Sequence, residues 1–193
     1  SLMRPAVERA RELLAKTPGA VNLDQFSNPA NVEVHRRTTA LELWEDTAGA
    51  IDVFIAGVGT GGTISGVGRE LKARKPDVRI VAVEPAKCAV LSGGAPGHHL
   101  IQGIGAGFVP AILDRGVIDE VVTVSEDDAF ANARRLAKEQ GIAGGTVLEI
   151  GAGAELGLQP VQRVGIDRAQ RLERDHQLAL PIVGLVHQPH AAL

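Results

Sequence analysis

The sequence predicts an α/β fold, a mostly parallel sheet flanked by helices, and three observations carry that expectation. "IDVFIAG" at 51–57 and "VRIVAVE" at 78–84 are short unbroken apolar runs, the pattern of strands buried on both faces. Between them, Ile64 to Lys75 has helical spacing ended by Pro76, which makes a strand, helix, strand unit with parallel strands. "IDEVVTV" at 118–124 then repeats the alternation, a strand followed by a helical pattern.

From Arg4 to Lys16, Val7, Leu13 and Leu14 share one helical face opposite Arg9, Arg11 and Glu12, and "TPGA" at 17–20 stops the helix. A short apolar piece around Val21 leads to Asn28-Pro29, which marks a turn. The stretch from there to Trp44 is expected to be helical, with Gly49 as its stop. Residues 85–110 are rich in glycine and proline and too long for an ordinary connection, so they are read as a functional loop. Ser125, with Asp128 three residues on, opens a helix expected to run through Glu139 and to end at Gly141. The acidic run "SEDD" at 125–128 suits the positive end of that helix. Beyond Ile142 the pattern loosens, holding one expected strand, Val147 to Ile150, and a weak helix near Ala169.

The 193 residues are 45% hydrophobic with mixed charge, a globular composition. A net charge of -3 and 3% aromatic residues supply neither a basic field for nucleic acid nor a stacking platform, so no nucleic-acid partner is expected. No apolar run approaches the roughly 20 residues that span a bilayer, and no signal-peptide core is visible, so no membrane association and a cytoplasmic location are expected. The single cysteine, Cys88, has no internal disulfide partner, which agrees with a reducing compartment. Because the chain opens inside a helical pattern, "SLMRPAVERARELL", it is expected to be a piece of something longer.

The chemistry concentrates in "GVGTGGTISGVG" at 57–68, six glycines in twelve residues between a strand and a helix. Glycine lets consecutive backbone N–H groups converge, threonine hydroxyls add donors, and the helix N-terminus brings about half a positive charge. These are the requirements of a phosphate site, set against a plain tight strand-to-helix turn. Three ligands compete for it. A dinucleotide fits Gly57, Gly59 and Gly62 with Glu84 as a ribose-binding acid, although that fingerprint normally opens its domain. S-adenosylmethionine would use "VLEIGAG" at 147–153, which too little chain follows. Pyridoxal phosphate is the third.

A longer resemblance favours the third. "QFSNPANVEVHRRTTALELWEDTAGAIDVFIAGVGTGGTISGVG" and "RIVAVEPAKCAVLSGGAPGHHLIQGIGAGFVPAILDRGVIDEVVTVSEDDAFANARRLAKEQGI" are similar, in the same order, to the O-acetylserine sulfhydrylases, the cysteine synthases among fold-type II pyridoxal-phosphate enzymes. "LSGG" and "QGIGAGFVP" favour these over the related cystathionine β-synthases. The resemblance implies an incomplete three-layer large domain at 29–193, with 1–28 the end of a smaller N-terminal domain. It implies pyridoxal 5'-phosphate as cofactor, its phosphate held by Gly59, Thr60, Gly61, Gly62 and Thr63. It places Gln25 near the substrate carboxylate, where the residue serves equally as a turn-capping amide, and makes Gly103 and Gly105 a segment closing on the substrate rather than plain turn glycines. The implied reaction is a β-replacement, sulfide displacing acetate from O-acetylserine to give cysteine. The implied partners are a second copy in a homodimer and a serine acetyltransferase.

The sequence also departs from that pattern. The lysine to which the family attaches its cofactor belongs to an N-terminal half not seen here, and Lys16, Lys72, Lys75, Lys87 and Lys138 match none of its context and are read as solvated. No catalytic residue is therefore assigned, and the chain alone is expected to be inactive. Where the family has a serine facing the pyridine nitrogen, "EIGAGA" at 149–154 offers Gly151 and Ala152, and alanine cannot make that hydrogen bond. A non-catalytic relative that binds phosphate or a partner protein stays open, as does a nicotinamide-dependent oxidoreductase. Cys88 with His98 and His99 lacks a base-orienting partner for nucleophilic work. His176, His187 and His190 are read as surface residues, and no metal site is expected.

Overall fold

The computed structural model of the protein describes residues 3–141 and the strand at 183–186. Its α/β architecture agrees with the sequence expectation: a four-stranded sheet flanked by helices, in the order β3 (Glu120–Val124), β2 (Arg79–Pro85), β1 (Val53–Gly57), β4 (Val183–Val186). β1 pairs parallel with β2, Phe54 beside Ile80 and Ala56 beside Ala82. β2 pairs parallel with β3, and β4 runs antiparallel along the other edge of β1.

Alternation along β1 and β2 divides the core in two. Phe54, Ala56, Ile80 and Ala82 face Ile64, Val67 and Leu71 of α4 (Gly62–Arg74), with Ala40 of α3 (Thr39–Asp46) in the same cluster. Val53, Ile55, Val81 and Val83 face the other way, against Ile101, Ile104 and Ala129 of α5 (Glu126–Gln140). Both faces are covered, which is why these strands read as continuous apolar runs rather than as alternating ones. Among the described residues no helix is long and apolar enough to cross a membrane.

The stretch expected as one helix to Trp44 is two, α2 (Pro29–Arg37) and α3 (Thr39–Asp46). Thr38 breaks it at φ -122° and ψ -76°, its hydroxyl donating back to the Val34 carbonyl at 2.7 Å. Asn28 is the N-cap of α2, accepting from the Ala30 amide, and Pro29 takes the first helical position, which needs no N–H. Ser125 caps α5 through the Asp128 amide, and Gly141 ends it in the left-handed region at φ +68°. α1 (Met3–Lys16) forms as expected but buries no residue, and the piece around Val21 builds no element, Val21 being 82% exposed. The expected strand at 147–150 and helix near Ala169 lie outside the described residues, as do Gly151, Ala152, His176, His187 and His190.

Candidate functional site

Three segments meet at the C-terminal end of β1: residues 25–31, the glycine loop at 57–63, and residues 103–108. Val58 ties the second to its neighbours. Its amide donates to the Val83 carbonyl at 3.0 Å, prolonging the sheet by one residue, and its carbonyl accepts from the Gly105 amide at 3.0 Å. Phe26 meets Phe108 edge-on with ring centroids 5.0 Å apart, and the Phe26 carbonyl accepts from the Ile112 amide. The sequence-expected residues Gln25, Gly59 to Thr63, Gly103 and Gly105 therefore share one locality.

The glycines are required by close approach. A Cβ on Gly59 would lie 2.3 Å from the Gly103 carbonyl oxygen, and one on Gly62 would lie 2.1 Å from Asn31 Oδ1. Gly61 is the N-cap of α4 at φ +84°, a conformation that disfavours any side chain. The loop is thus packed on its side-chain flanks. Its donors are not consumed in the same way: no hydrogen bond among the described residues uses the amides of Gly59, Thr60, Gly61 or Thr63. Gly61, Gly62 and Thr63 are buried, so these N–H groups belong to a site where a missing acceptor is costly. Orphan amides at the start of a thirteen-residue helix, with two threonine hydroxyls beside them, fit a phosphate group.

Two side chains that sequence reasoning missed support the loop from α2. Asn31 Nδ2 donates to the Gln25 carbonyl at 2.9 Å and to Thr60 Oγ1 at 3.0 Å. His35 lies between Thr63 Oγ1, 3.2 Å from its Nε2, and Thr39 Oγ1, 2.9 Å from its Nδ1. Burial holds the pKa of His35 below its ordinary 6.5, so the ring is neutral near pH 7. The available signal was their spacing of four on one helical face preceding a Gly-x-x-x-Gly face on α4, Gly62 and Gly66. Gln25 itself is exposed and joins the site through its backbone carbonyl.

The 103–105 segment is held from behind. Gly103 is at φ +88° and Gly105 at φ +65°. The Gly105 carbonyl accepts from His99 Nε2 at 3.0 Å and from the Cys88 thiol at 3.6 Å. A carbonyl only accepts, so His99 carries its proton on Nε2, and its buried Nδ1 has no partner among the described residues. Cys88 is fully buried, and both residues are thereby structural supports of a glycine carbonyl.

Glu84 overturns the dinucleotide alternative. It is 1% exposed and turned inward, accepting from the Leu91 amide at 2.8 Å, the Ser92 amide at 2.9 Å and the Ser92 hydroxyl at 2.6 Å. A carboxylate so occupied latches the "LSGG" turn and leaves nothing for a ribose. The lysines need a correction as well. Lys72 pairs with Asp119 and Lys75 with Asp52, both partly buried rather than free in solvent, whereas Lys87 is solvated as expected, although its ammonium meets Glu126. Among the described residues no group of three His, Cys, Asp or Glu side chains is arranged to hold a metal ion.

Comparison with known proteins gives the same family. Residues 3–156 match the family described as pyridoxal-phosphate dependent enzyme. The chain is 47% identical over 166 residues to cysteine synthase A of Escherichia coli, covering 81% of this chain and 51% of that protein. It is 49% identical over 154 residues to cysteine synthase B of Campylobacter jejuni, 80% of this chain and 50% of that one. In structure it resembles O-acetyl serine sulfhydrylase isoform 3 of Entamoeba histolytica, with a TM-score of 0.72 at 45% identity, over 77% of this chain and 45% of the other. The chain spans about half the length of these relatives.

Proposed function

Since the chain belongs to the family of pyridoxal-phosphate dependent enzymes, we propose that it is the cofactor-phosphate half of a cysteine synthase, acting in the replacement of acetate on O-acetylserine by sulfide. The single observation that carries this reading is the set of unclaimed amides at Gly59, Thr60, Gly61 and Thr63 facing the start of α4. When bound, the cofactor supplies an electron-accepting ring that makes the α-proton of an amino acid labile. The chain's own residues hold the phosphate with these N–H groups and the Thr60 and Thr63 hydroxyls. Gly103 and Gly105, packed on the loop through Gly59 and Val58, line the substrate side, and Gln25 reaches the substrate carboxylate from the exposed rim. The part played by 1–28 is to lead from a smaller domain into the larger one. Oligomerisation as a homodimer, a serine acetyltransferase partner and a cytoplasmic location complete the proposal, on the strength of the family.

Lys72, Lys75 and Lys87 are paired with Asp119, Asp52 and Glu126, and the lysine that turnover needs belongs to the half of the relatives that this chain does not span; the second reading is a relative that binds the cofactor phosphate without turnover. Equilibrium dialysis of the chain against pyridoxal 5'-phosphate, pyridoxal and NADH tests the binding. Saturable uptake of the phosphorylated form alone supports the proposal, while no uptake, or preference for NADH, ends it. Cysteine formation from O-acetylserine and sulfide by the natural gene product then separates enzyme from silent binder.

A further inference from the structure

α2 approaches α4 backbone to backbone. A Cβ on Gly66 would lie 2.3 Å from the Val32 carbonyl oxygen and 2.8 Å from the Arg36 amide, and one on Gly62 would lie 2.1 Å from the side-chain oxygen of Asn31. This contact sets Asn31 and His35, one helical turn apart on the same face of α2, directly behind the two threonines of the glycine loop.

The hydrogens can be assigned by elimination. The Gln25 carbonyl only accepts, so the atom of Asn31 that faces it is the amide nitrogen, and that nitrogen gives its second hydrogen to Thr60 Oγ1. Thr60 Oγ1 also accepts from the Gly62 amide at 3.3 Å. Both lone pairs of that hydroxyl are thereby filled from inside the protein, and its own hydrogen is left to point outward. Thr63 is 7% exposed, and His35 Nε2 is the partner its hydroxyl meets.

We propose that Asn31 and His35 are a pair of positioning residues that fix the direction of the Thr60 and Thr63 hydroxyls, filling each oxygen from behind so that each hydrogen is presented to the phosphate. In this arrangement His35 is the Nε2–H tautomer. Nε2 donates to Thr63, and Nδ1 accepts from the Thr39 hydroxyl, which lies 2.9 Å away. Neutrality of the ring, which burial favours, is what leaves Nδ1 able to accept. The inference rests on the phosphate reading of the loop and adds to it a second layer of residues that never touch the ligand.

The test is a pair of double-mutant cycles on the chain, read as the affinity for pyridoxal 5'-phosphate and the phosphorus NMR shift of the bound phosphate. N31A and H35A are expected to weaken binding by about tenfold each, in line with one threonine hydroxyl losing its directed hydrogen bond to the charged phosphate. The same changes should have no further effect once Thr60→Val or Thr63→Val, respectively, has removed the hydroxyl they orient. H35Q, which restores a donor at the Nε2 position, should recover the affinity. Losses that add to those of the threonine variants, or variants that bind as the unaltered chain does, overturn the inference and leave the phosphate reading standing. Failure of the unaltered chain to take up the phosphorylated ligand overturns both. Nitrogen NMR of the His35 ring needs no mutation and decides even where an alanine variant does not fold: the Nδ1–H tautomer overturns the proposal.

Discussion

The carbonyl oxygen of Gly103 occupies the space where a side chain on Gly59 would begin, 2.3 Å from an ideal Cβ. Two loops forty-four residues apart in sequence thus share one surface, and the absence of a methyl group at 59 keeps them together. G59A is expected to destabilise the chain by about 1–3 kcal/mol through overpacking, and to reduce uptake of pyridoxal 5'-phosphate at least tenfold by displacing the loop amides. Thermal melting with and without the ligand measures both, and an unchanged melting temperature in both conditions would contradict the contact.

Glu84 is a buried carboxylate satisfied by two amides and a hydroxyl. E84Q keeps its shape but turns one acceptor into a donor facing a donor, a change expected to cost about 1–3 kcal/mol. The loss should be local as well as global. Hydrogen exchange at the Leu91 and Ser92 amides should accelerate more than at the centre of β2, and equal acceleration throughout would show that the latch has no separate existence.

His35 ties folding to pH. Its folded pKa lies below 6.5 and its unfolded value at 6.5, so between the two the unfolded state binds more protons. Stability is therefore full above pH 6.5 and declines as pH falls toward the folded pKa. Denaturation midpoints measured across that window should slope downward toward acid in the native chain and flatten in H35Q. Identical slopes would mean that another group titrates there.

Glu33 accepts from Arg36 and Arg37, and these two bonds lower its pKa from 4.5 to about 2. Its contribution is present above pH 4.5 and is lost as pH falls through about 2. Carbon NMR of the carboxyl group should show that low midpoint and its return toward 4.5 in R36A. Because the pair is solvent-exposed, E33Q should leave stability at pH 7 almost unchanged.

Ser125 accepts from the Asp128 amide at 3.1 Å as the N-cap of α5. S125A is expected to lower stability by about 1 kcal/mol, with the loss of helical signal confined to α5. Retention of native stability would argue that Asp128 alone serves that helix end.

Legibility in the sequence followed the length scale of the interaction. β1, β2 and α4 were readable because each lies in a run of hydrophobicity with its own period, and the ends of α5 because Ser125 and Gly141 act on adjacent amides and carbonyls. The break at Thr38 was hidden because a threonine bonding back to the preceding turn leaves helical periodicity intact on both sides. β4 was missed because four apolar residues after Pro181 carry no alternation, and its antiparallel place beside β1 is set by tertiary pairing. At the site, the glycine loop announced itself by composition. Asn31 and His35 did not, since their roles arise from a helix crossing that no local pattern encodes. Glu84 was misleading for the same reason: its spacing from the glycines matched a ribose acid, while the Leu91–Ser92 turn that claims it lies in an irregular segment.

At Gly66 the two helices touch with no clearance, and this makes the pocket's chemistry depend on a position remote from any ligand. Adding a single carbon there would push α2 away as a rigid rod, withdrawing both helper side chains at once. Selection on anion binding should therefore police the seam between the rods as strictly as the pocket wall, and redesign toward a bulkier anion would have to begin by resetting that seam.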